Sequence, residues 1–243
     1  MESRDAKNWA QSVDTLNVGA LPKGAYNINV QGKRIMGPVH GFGRLWQKTY
    51  RLQFEGACPS ATHVIEEWKA NFPAFWPKGN KLYKPEGAIK PGDVGVINTT
   101  TVGSVPVLST GIYVIYADDV SFSFMTPEGH PWAGMITFSA DGDAEATFAQ
   151  VQVLVRANDP LYELGMRTFM SAAEDAFWFD TLNNVARHFG ATGKPTLQAA
   201  IVDPKVQWRE WKNVWQNAGV RTALYLMSSP LRWVRARFKG NGS

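Results

Sequence analysis

A histidine in a tight turn is the residue whose type and setting best suit acid–base chemistry. His130 stands between Gly129 and Pro131 in the sequence MTPEGHPW, between two strand-like runs. An imidazole titrates near neutral pH, so His130 would serve as a general acid or base, with Glu128 close in sequence. In the alternative, its ring nitrogens satisfy backbone groups of the turn, which the flanking glycine and proline favour. We prefer this structural role, because a catalytic imidazole also needs an orienting partner.

Metal and phosphate chemistry have little support in the sequence. His40, His63 and His188 are scattered without the spacing of zinc ligands, and Cys58 is the one cysteine in 243 residues. The Gly-Lys pair in ATGKPT lacks the glycine and the hydroxyl residue that a phosphate loop requires. We therefore expect no bound metal and no cofactor.

Two adjacent carboxylates, Glu174 and Asp175, lie within a long predicted helix. Neighbouring helical residues point about 100° apart, so the two cannot act as a pair on one substrate atom. An exposed helix face with one inward acid is the simpler interpretation. If one carboxylate faces a cavity, it loses solvent and becomes a candidate for orienting a ligand.

Hydrophobic periodicity predicts the elements that would position these groups. Over 44–54, Trp46, Tyr50, Leu52 and Phe54 share one face and polar residues occupy the other, which indicates a half-buried strand, and a short helix that ends at Pro73 follows. From 93 to 156 five strand-like runs are joined by short, turn-rich connections, which indicates an antiparallel meander. One helix then begins at Asp159 and Pro160 and runs to about Phe189.

These elements predict an α+β fold of the helix-grip type, in which a curved antiparallel sheet wraps around one long C-terminal helix. The helix carries a long apolar stripe that needs a whole sheet face to cover it. Residues 1–43 are rich in glycine and lack a sustained period. We predict three parts, namely an N-terminal arm (1–43), a ligand-binding domain (44–191) and a C-terminal helical tail (192–243).

The sequence MTPEGHPWAGMITFSADGDAEATFAQVQVLVRANDPLYELG resembles the START-type, or SRPBCC, helix-grip superfamily, which includes polyketide cyclases and lipid-transfer domains. It is most similar to a bacterial branch without an assigned function, in which a threonine, a glycine-histidine-proline and a later glycine precede a strand that carries phenylalanine. Those places are held by Thr126, Gly129, His130, Pro131, Gly134 and Phe138. The resemblance spans about residues 44–190. It implies a cavity between sheet and helix for an apolar or amphipathic ligand, and it does not imply a reaction.

Aromatic and methionine side chains are the candidates for lining that cavity. Most aromatic residues of a domain belong to its ordinary core, but flexible thioethers suit a surface that accommodates more than one apolar shape. The candidate ligand-binding residues are Tyr113, Phe124, Trp132, Phe148, Arg156, Met166, Met170 and Phe177.

The tail combines basic residues with tryptophans at helical spacing. Residues 192–243 contain nine lysines or arginines against two acids, although the whole chain has a net charge of only +4. Such a segment fits an anionic membrane interface, packing on the domain, or self-association, and these are favoured over nucleic acid as a partner. The candidate contact residues are Trp208, Trp211 and Trp215 on one helical face, and Arg232, Trp233, Arg235 and Arg237 beyond it.

The leading hypothesis is binding of a hydrophobic small molecule or lipid in the cavity, with the tail serving a membrane surface or self-association. The alternative is a cyclase or dehydratase for a polyketide-like or aromatic substrate, with His130 moving protons and Tyr113 or Arg156 polarising a carbonyl. The first residues lack the features of a signal peptide, and no stretch reaches the roughly 18 apolar residues of a spanning helix. We therefore expect a cytoplasmic protein, peripheral at the inner face of the membrane if the tail binds lipid.

Overall fold

The computed structural model describes residues 5–100, 105–143 and 145–228. Within these ranges nine strands form one antiparallel sheet in the order β3-β4-β5-β6-β7-β8-β2-β9, and β1 pairs with the end of β6. The strands are β1 (Ile35–Met36), β2 (Leu45–Gln53), β3 (Asn80–Tyr83), β4 (Val94–Thr100), β5 (Pro106–Ala117), β6 (Ser121–Pro127), β7 (Trp132–Gly142), β8 (Thr147–Ala157) and β9 (Thr196–Asp203). The α-helices are α1 (Ala61–Ala70), α2 (Pro160–Gly165), α3 (Ser171–His188) and α4 (Ala218–Met227).

The predicted meander is confirmed, because β4 to β7 each pair with the next strand along the chain, up to β8. The long helix also begins as predicted. The Asp159 carboxylate accepts hydrogen bonds from the backbone N–H groups of Leu161 and Tyr162. A π-helical turn, Met166–Met170, joins α2 to α3, so the helical path continues to His188. The predicted α+β helix-grip class is thus confirmed.

The main core lies between one face of the sheet and the helices α1 and α3. Its centre is aromatic, since the rings of Phe122 and Phe138 stack 4.7 Å apart and Trp68 and Phe72 contact them edge-on. From α3, Trp178 and Leu182 point into this core at a spacing of four residues. This packing fixes α3 across the sheet, and the candidate site depends on that placement.

Both flanking segments pack against the sheet. Leu16 and Val30 of the arm are buried against Val96 and Tyr113, where they form a second, smaller core on the opposite face. The strand β9 pairs with β2 at the edge of the sheet. The predicted boundary at residue 191 therefore divides one continuous sheet.

The tail differs from the predicted α-helix where its tryptophans lie. Trp208–Gln216 is a 3₁₀ helix, and only α4 that follows it is α-helical. Residues three apart eclipse one another in a 3₁₀ helix, so Trp208 and Trp211 share a face and Trp215 lies about 120° away. The predicted contacts Arg232, Trp233, Arg235 and Arg237 lie outside the described residues. Across the described ranges, none of the helices combines the length and the hydropathy needed to cross a bilayer.

Candidate ligand-binding site

A cavity of about 330 Å³ lies between the sheet and α3. Its wall is mainly aromatic and aliphatic, and polar side chains interrupt it at a few points. The apolar lining consists of Trp76, Ile97, Leu108, Ile112, Phe124, Pro131, Trp132, Ile136, Met170, Ala173, Phe177 and Trp178. The polar lining consists of Asn80, Thr99, Thr110, His130 and Glu174.

The structure brings five of the predicted site residues together here. They are Phe124, His130, Trp132, Met170 and Phe177. The other four predicted ligand contacts, Tyr113, Phe148, Arg156 and Met166, lie away from this cavity. The expectation that they line it is therefore wrong for this site.

Strand parity explains why Tyr113 and Phe148 face away. Thr110 and Ile112 of β5 point into the cavity, so Tyr113 points to the opposite face. There its hydroxyl donates to the backbone oxygen of Gln11 at 2.8 Å. Phe148 likewise alternates with the buried residues of β8 and lies under the guanidinium of Arg51, with Cζ 4.2 Å from the ring centroid.

Arg156 has a structural position on the face opposite the cavity. Its Nη1 donates to the backbone oxygens of Gly43 at 2.6 Å and Lys205 at 3.0 Å, and its Nη2 binds the Asp203 carboxylate. The side chain therefore joins the arm to the end of β9. Met166 begins the π-helical turn and does not line the cavity, whereas Met170 at the end of that turn does.

His130 is both a turn residue and a cavity residue. Its Nδ1 lies 3.1 Å from the backbone nitrogen and 3.1 Å from the backbone oxygen of Trp132, and its own backbone N–H donates to Pro127. Burial lowers the pKa of His130 to about 4. The imidazole is therefore neutral at neutral pH, and no carboxylate orients it among the described residues.

Local contacts explain why two other residues of the predicted motif, Thr126 and Gly129, occupy their positions. The Thr126 hydroxyl donates to the Trp132 backbone oxygen at 2.7 Å, which closes the turn. Gly129 has φ +88°, and a Cβ there would collide with the backbone oxygen of Gln216. The turn thus serves as a docking point for the tail, and the Ala218 backbone N–H donates to Gly129.

A buried ion cluster behind the cavity was not predicted. Lys48 Nζ lies 2.8 Å from Glu174 Oε2, 2.8 Å from Asp175 Oδ1 and 3.0 Å from Ser171 Oγ. The Tyr50 hydroxyl donates to the same Asp175 oxygen at 2.6 Å. Lys48 stands between Trp46 and Tyr50 on the inward parity of β2, and that placement is the sequence signal that could have revealed it.

Burial and charge act against each other within this cluster. Burial by itself would lower the pKa of Lys48, but Glu174 and Asp175 outweigh it and raise that pKa above its ordinary value. Burial raises the pKa of the Glu174 carboxyl against the opposing effect of Lys48. Burial also raises the pKa of Tyr50, so its phenol remains a neutral donor. Glu174 is the one member of the cluster that lines the cavity.

Three polar atoms of the cavity lining have no hydrogen-bond partner among the described residues. They are the indole nitrogens of Trp76 and Trp132 and the hydroxyl oxygen of Thr110, all of them buried. The indole nitrogen of Trp178 is also buried in the lining, but it interacts with the Glu174 carboxyl and lowers the pKa of that group. A buried polar atom without a partner is destabilising by about 1–3 kcal/mol. Such atoms are normally satisfied by protein, water or ligand. The part of the chain that the structure describes contains no cluster of three or more His, Cys, Asp or Glu that could hold a metal ion.

Comparison with known proteins yields structural neighbours and no sequence match. No family model and no curated protein matches the chain. The solved structures that resemble it include KanY (ms6282), with 10% identity over 61% of this chain and 99% of KanY, at a TM-score of 0.45. The di-domain ARO/CYC StfQ from the steffimycin biosynthetic pathway has 15% identity over 60% of this chain and 50% of StfQ, at 0.46.

A plant protein is also among the neighbours. Major latex-like protein 151 from Panax ginseng has 13% identity over 60% of this chain and 99% of its own, at a TM-score of 0.40. At identities of 10–15% and TM-scores of 0.40–0.46, these likenesses do not identify a ligand or a reaction. The argument for function therefore depends on the cavity itself.

Proposed function

We propose that the protein binds an amphipathic, largely apolar small molecule in the cavity between the sheet and α3. The observation that carries this proposal is the presence of three buried, unpartnered polar atoms, on Trp76, Trp132 and Thr110, in an otherwise apolar wall. The indole N–H groups are donors only, so the ligand should present acceptor oxygens to them. A volume of about 330 Å³ is near the lower end of the roughly 300–1,000 Å³ typical of small-molecule sites.

Two neighbouring alanines of α3 provide a matched test. Ala173 lines the cavity, Ala172 does not, and both side chains are exposed, so a larger side chain at either position should be tolerated. We expect the apolar dye N-phenyl-1-naphthylamine to bind the wild type with enhanced fluorescence. Ala173→Trp should weaken this binding at least about tenfold by narrowing the cavity, whereas Ala172→Trp should leave it unchanged. A tenfold weaker affinity corresponds to about 1.4 kcal/mol, which is less than the free energy of burying one aromatic ring.

The proposal is wrong if the dye does not bind, or if both variants bind it as the wild type does. Thermal unfolding of the two variants supplies the control, because a misfolded Ala173→Trp protein would lose binding for an unrelated reason. Melting temperatures that agree with the wild type exclude that explanation.

The cyclase or dehydratase alternative has less support from the geometry. Of its three proposed residues, only His130 lies at the cavity, and Tyr113 and Arg156 make contacts elsewhere. A base with a pKa of about 4 is also weak near neutral pH. Binding is therefore the function that these residues support best.

We further propose that the tail contacts an anionic membrane surface. Trp208, Trp211 and Trp215 are 73%, 45% and 71% exposed, and the side chains of Arg209 and Lys212 between them are exposed too. Exposed indoles beside basic residues suit the interface of a negatively charged bilayer. Each basic residue near such a surface contributes about 1 kcal/mol, and salt screens that contribution.

Vesicle flotation tests the tail with the full-length protein. We expect binding to phosphatidylserine-containing vesicles, release as salt rises, and loss of binding when all three tryptophans are replaced by serine. Trp9→Ser is the control, since Trp9 is 56% exposed and lies outside the tail. If the triple variant instead abolishes a concentration-dependent dimer in the absence of vesicles, the tryptophans mediate self-association and the membrane proposal fails.

A further inference from the structure

The described lining of the cavity contains an acidic side chain but no lysine or arginine. Of the residues that line it within the described chain, Glu174 and His130 are the two that can titrate. His130 is neutral near pH 7, because burial lowers its pKa to about 4. No lysine or arginine of the described residues lines the cavity. A carboxylate ligand would therefore meet a carboxylate and find no cation in contact with it.

The nearest cation, Lys48, is already engaged. Its ammonium binds Glu174, Asp175 and Ser171 at 2.8, 2.8 and 3.0 Å, which uses the three protons of that group. Two carboxylates face this one lysine, and the Tyr50 hydroxyl that binds Asp175 is neutral. The cluster therefore has one more carboxylate than cations.

Glu174 lines the cavity and has acceptor sites that its protein partners leave open. A carboxylate paired with a lysine offers about four acceptor sites, of which the Lys48 bond at Oε2 uses one and the interaction with the Trp178 indole uses another. Five aromatic rings also line the cavity, and the face of an aromatic ring attracts a cation. Both features favour a ligand that presents a hydrogen-bond donor to Glu174.

We propose that Glu174 anchors the ligand by accepting a hydrogen bond from a protonated amine or a hydroxyl, so that the cavity selects such molecules and rejects carboxylates. This inference rests on the proposed binding function and adds the chemical class of the ligand to it. The unpartnered groups of Trp76, Trp132 and Thr110 would hold acceptor atoms of the same molecule.

A series of naphthalenes of nearly equal size tests the inference. The probes are 1-naphthylmethylamine, 1-naphthalenemethanol, 1-methylnaphthalene and 1-naphthoate, each competing with N-phenyl-1-naphthylamine near pH 7. We expect the wild type to bind the amine at least about tenfold more tightly than the carboxylate. The amine donates a hydrogen bond to the buried Glu174 carboxylate, whereas the carboxylate has no proton to donate and carries the same charge. If the amine binds more tightly than the alcohol, its positive charge adds to the affinity given by hydrogen-bond donation. If the two bind equally, donation to Glu174 alone accounts for the affinity.

Two variants separate contact with Glu174 from the charge of the cluster. Glu174→Gln and Asp175→Asn each remove one carboxylate, but only Glu174 lines the cavity. Either variant leaves Lys48 paired with the remaining acid. We expect Glu174→Gln to abolish the preference for amine over carboxylate and Asp175→Asn to retain a preference.

The inference and the proposed function fail in different ways. If 1-methylnaphthalene binds, Ala173→Trp blocks it, and the wild type shows no preference among the probes, the binding function stands and the role of Glu174 is wrong. An equal loss of preference in Glu174→Gln and Asp175→Asn also overturns anchoring by Glu174. If neither the dye nor any naphthalene binds, both proposals are wrong. The wild-type ratios alone decide the inference should either variant not fold.

Discussion

His130 illustrates how burial sets the chemistry of a single side chain in this protein. It is 6% exposed, and its Nδ1 lies within hydrogen-bonding distance of the Trp132 backbone. The sequence could not decide between a turn residue and a cavity residue, because both roles use the same position. In the structure the turn places the ring against the cavity wall.

The pKa of His130 predicts a pH dependence of stability. Burial lowers this pKa from 6.5 to about 4, so between those values the unfolded chain binds a proton that the folded protein does not. The free energy of unfolding should therefore fall as pH drops from 6.5 towards 4, by up to about 3 kcal/mol from this residue. Urea unfolding across this range should show a smaller loss in His130→Gln than in the wild type.

The exposed His63 provides the control for that measurement. Its side chain is 52% exposed, so in His63→Gln the free energy of unfolding should fall with pH as steeply as it does in the wild type. Identical slopes for the wild type and His130→Gln would mean that His130 is not held neutral by burial.

Lys48 should be among the residues most sensitive to substitution. Lys48→Met leaves Glu174 and Asp175 without their cation in a buried setting, which is expected to destabilise the protein by about 3–5 kcal/mol in urea unfolding. Adding Glu174→Gln to Lys48→Met should recover part of the loss, since one fewer carboxylate is then unpaired. A cost below about 1 kcal/mol for Lys48→Met would contradict the buried cluster.

Elements that carry a local pattern were predictable, and those defined by distant partners were not. The strands β4 to β8 and the helical path from Pro160 to His188 follow from periodicity and capping. The strand β9 did not, because most of its residues are exposed and it lacks the alternation of a half-buried strand. Its partner β2 is more than 140 residues earlier in the chain.

The residues that line the cavity were predictable only on strands whose sequence alternates between apolar and polar residues, because that alternation shows which face is buried. The run GIYVIYA of β5 is apolar on both faces, because the arm covers the outer one with Leu16 and Val30. A strand that is covered on both sides shows no alternation, so the sequence could not tell that Tyr113 faces outward. Lys48 did carry a signal, since a charged residue on an otherwise apolar face indicates a buried partner.

The pairing of β9 with β2 predicts the result of truncation. A chain ending after residue 192 loses β9 and exposes the edge of β2, whose unpaired backbone groups favour association with other chains. We expect this chain to melt at a lower temperature than the full-length protein and to aggregate. A chain ending after residue 207 keeps β9 and the contacts of Arg156, so it should be less affected. A soluble 1–192 chain with the full-length melting temperature would instead support an independent domain that ends near residue 191.

The whole molecule combines a largely apolar cavity with an exposed, tryptophan-bearing tail. The tail docks on the turn that holds His130, through the hydrogen bond between Ala218 and Gly129. Asn217 adds a buried hydrogen bond to the carboxylate of Asp159 at 2.8 Å, at the start of α2. The tail is therefore bonded to two segments that flank the sheet. One is the turn between β6 and β7, which carries His130 of the cavity wall, and the other is the start of α2.

The indole N–H signals of the protein test the central claim, that the cavity binds a small molecule through its buried polar atoms. The chain has ten tryptophans, and single Trp→Phe variants would assign those that line the cavity and those of the tail. On addition of 1-acetonaphthone, whose carbonyl is an acceptor, we predict that the indole protons of Trp76 and Trp132 shift downfield as they form hydrogen bonds. The signals of Trp208 and Trp215 should stay in place. A titration in which only the tail tryptophans shift, or in which the ketone binds without moving Trp76 or Trp132, would contradict the account.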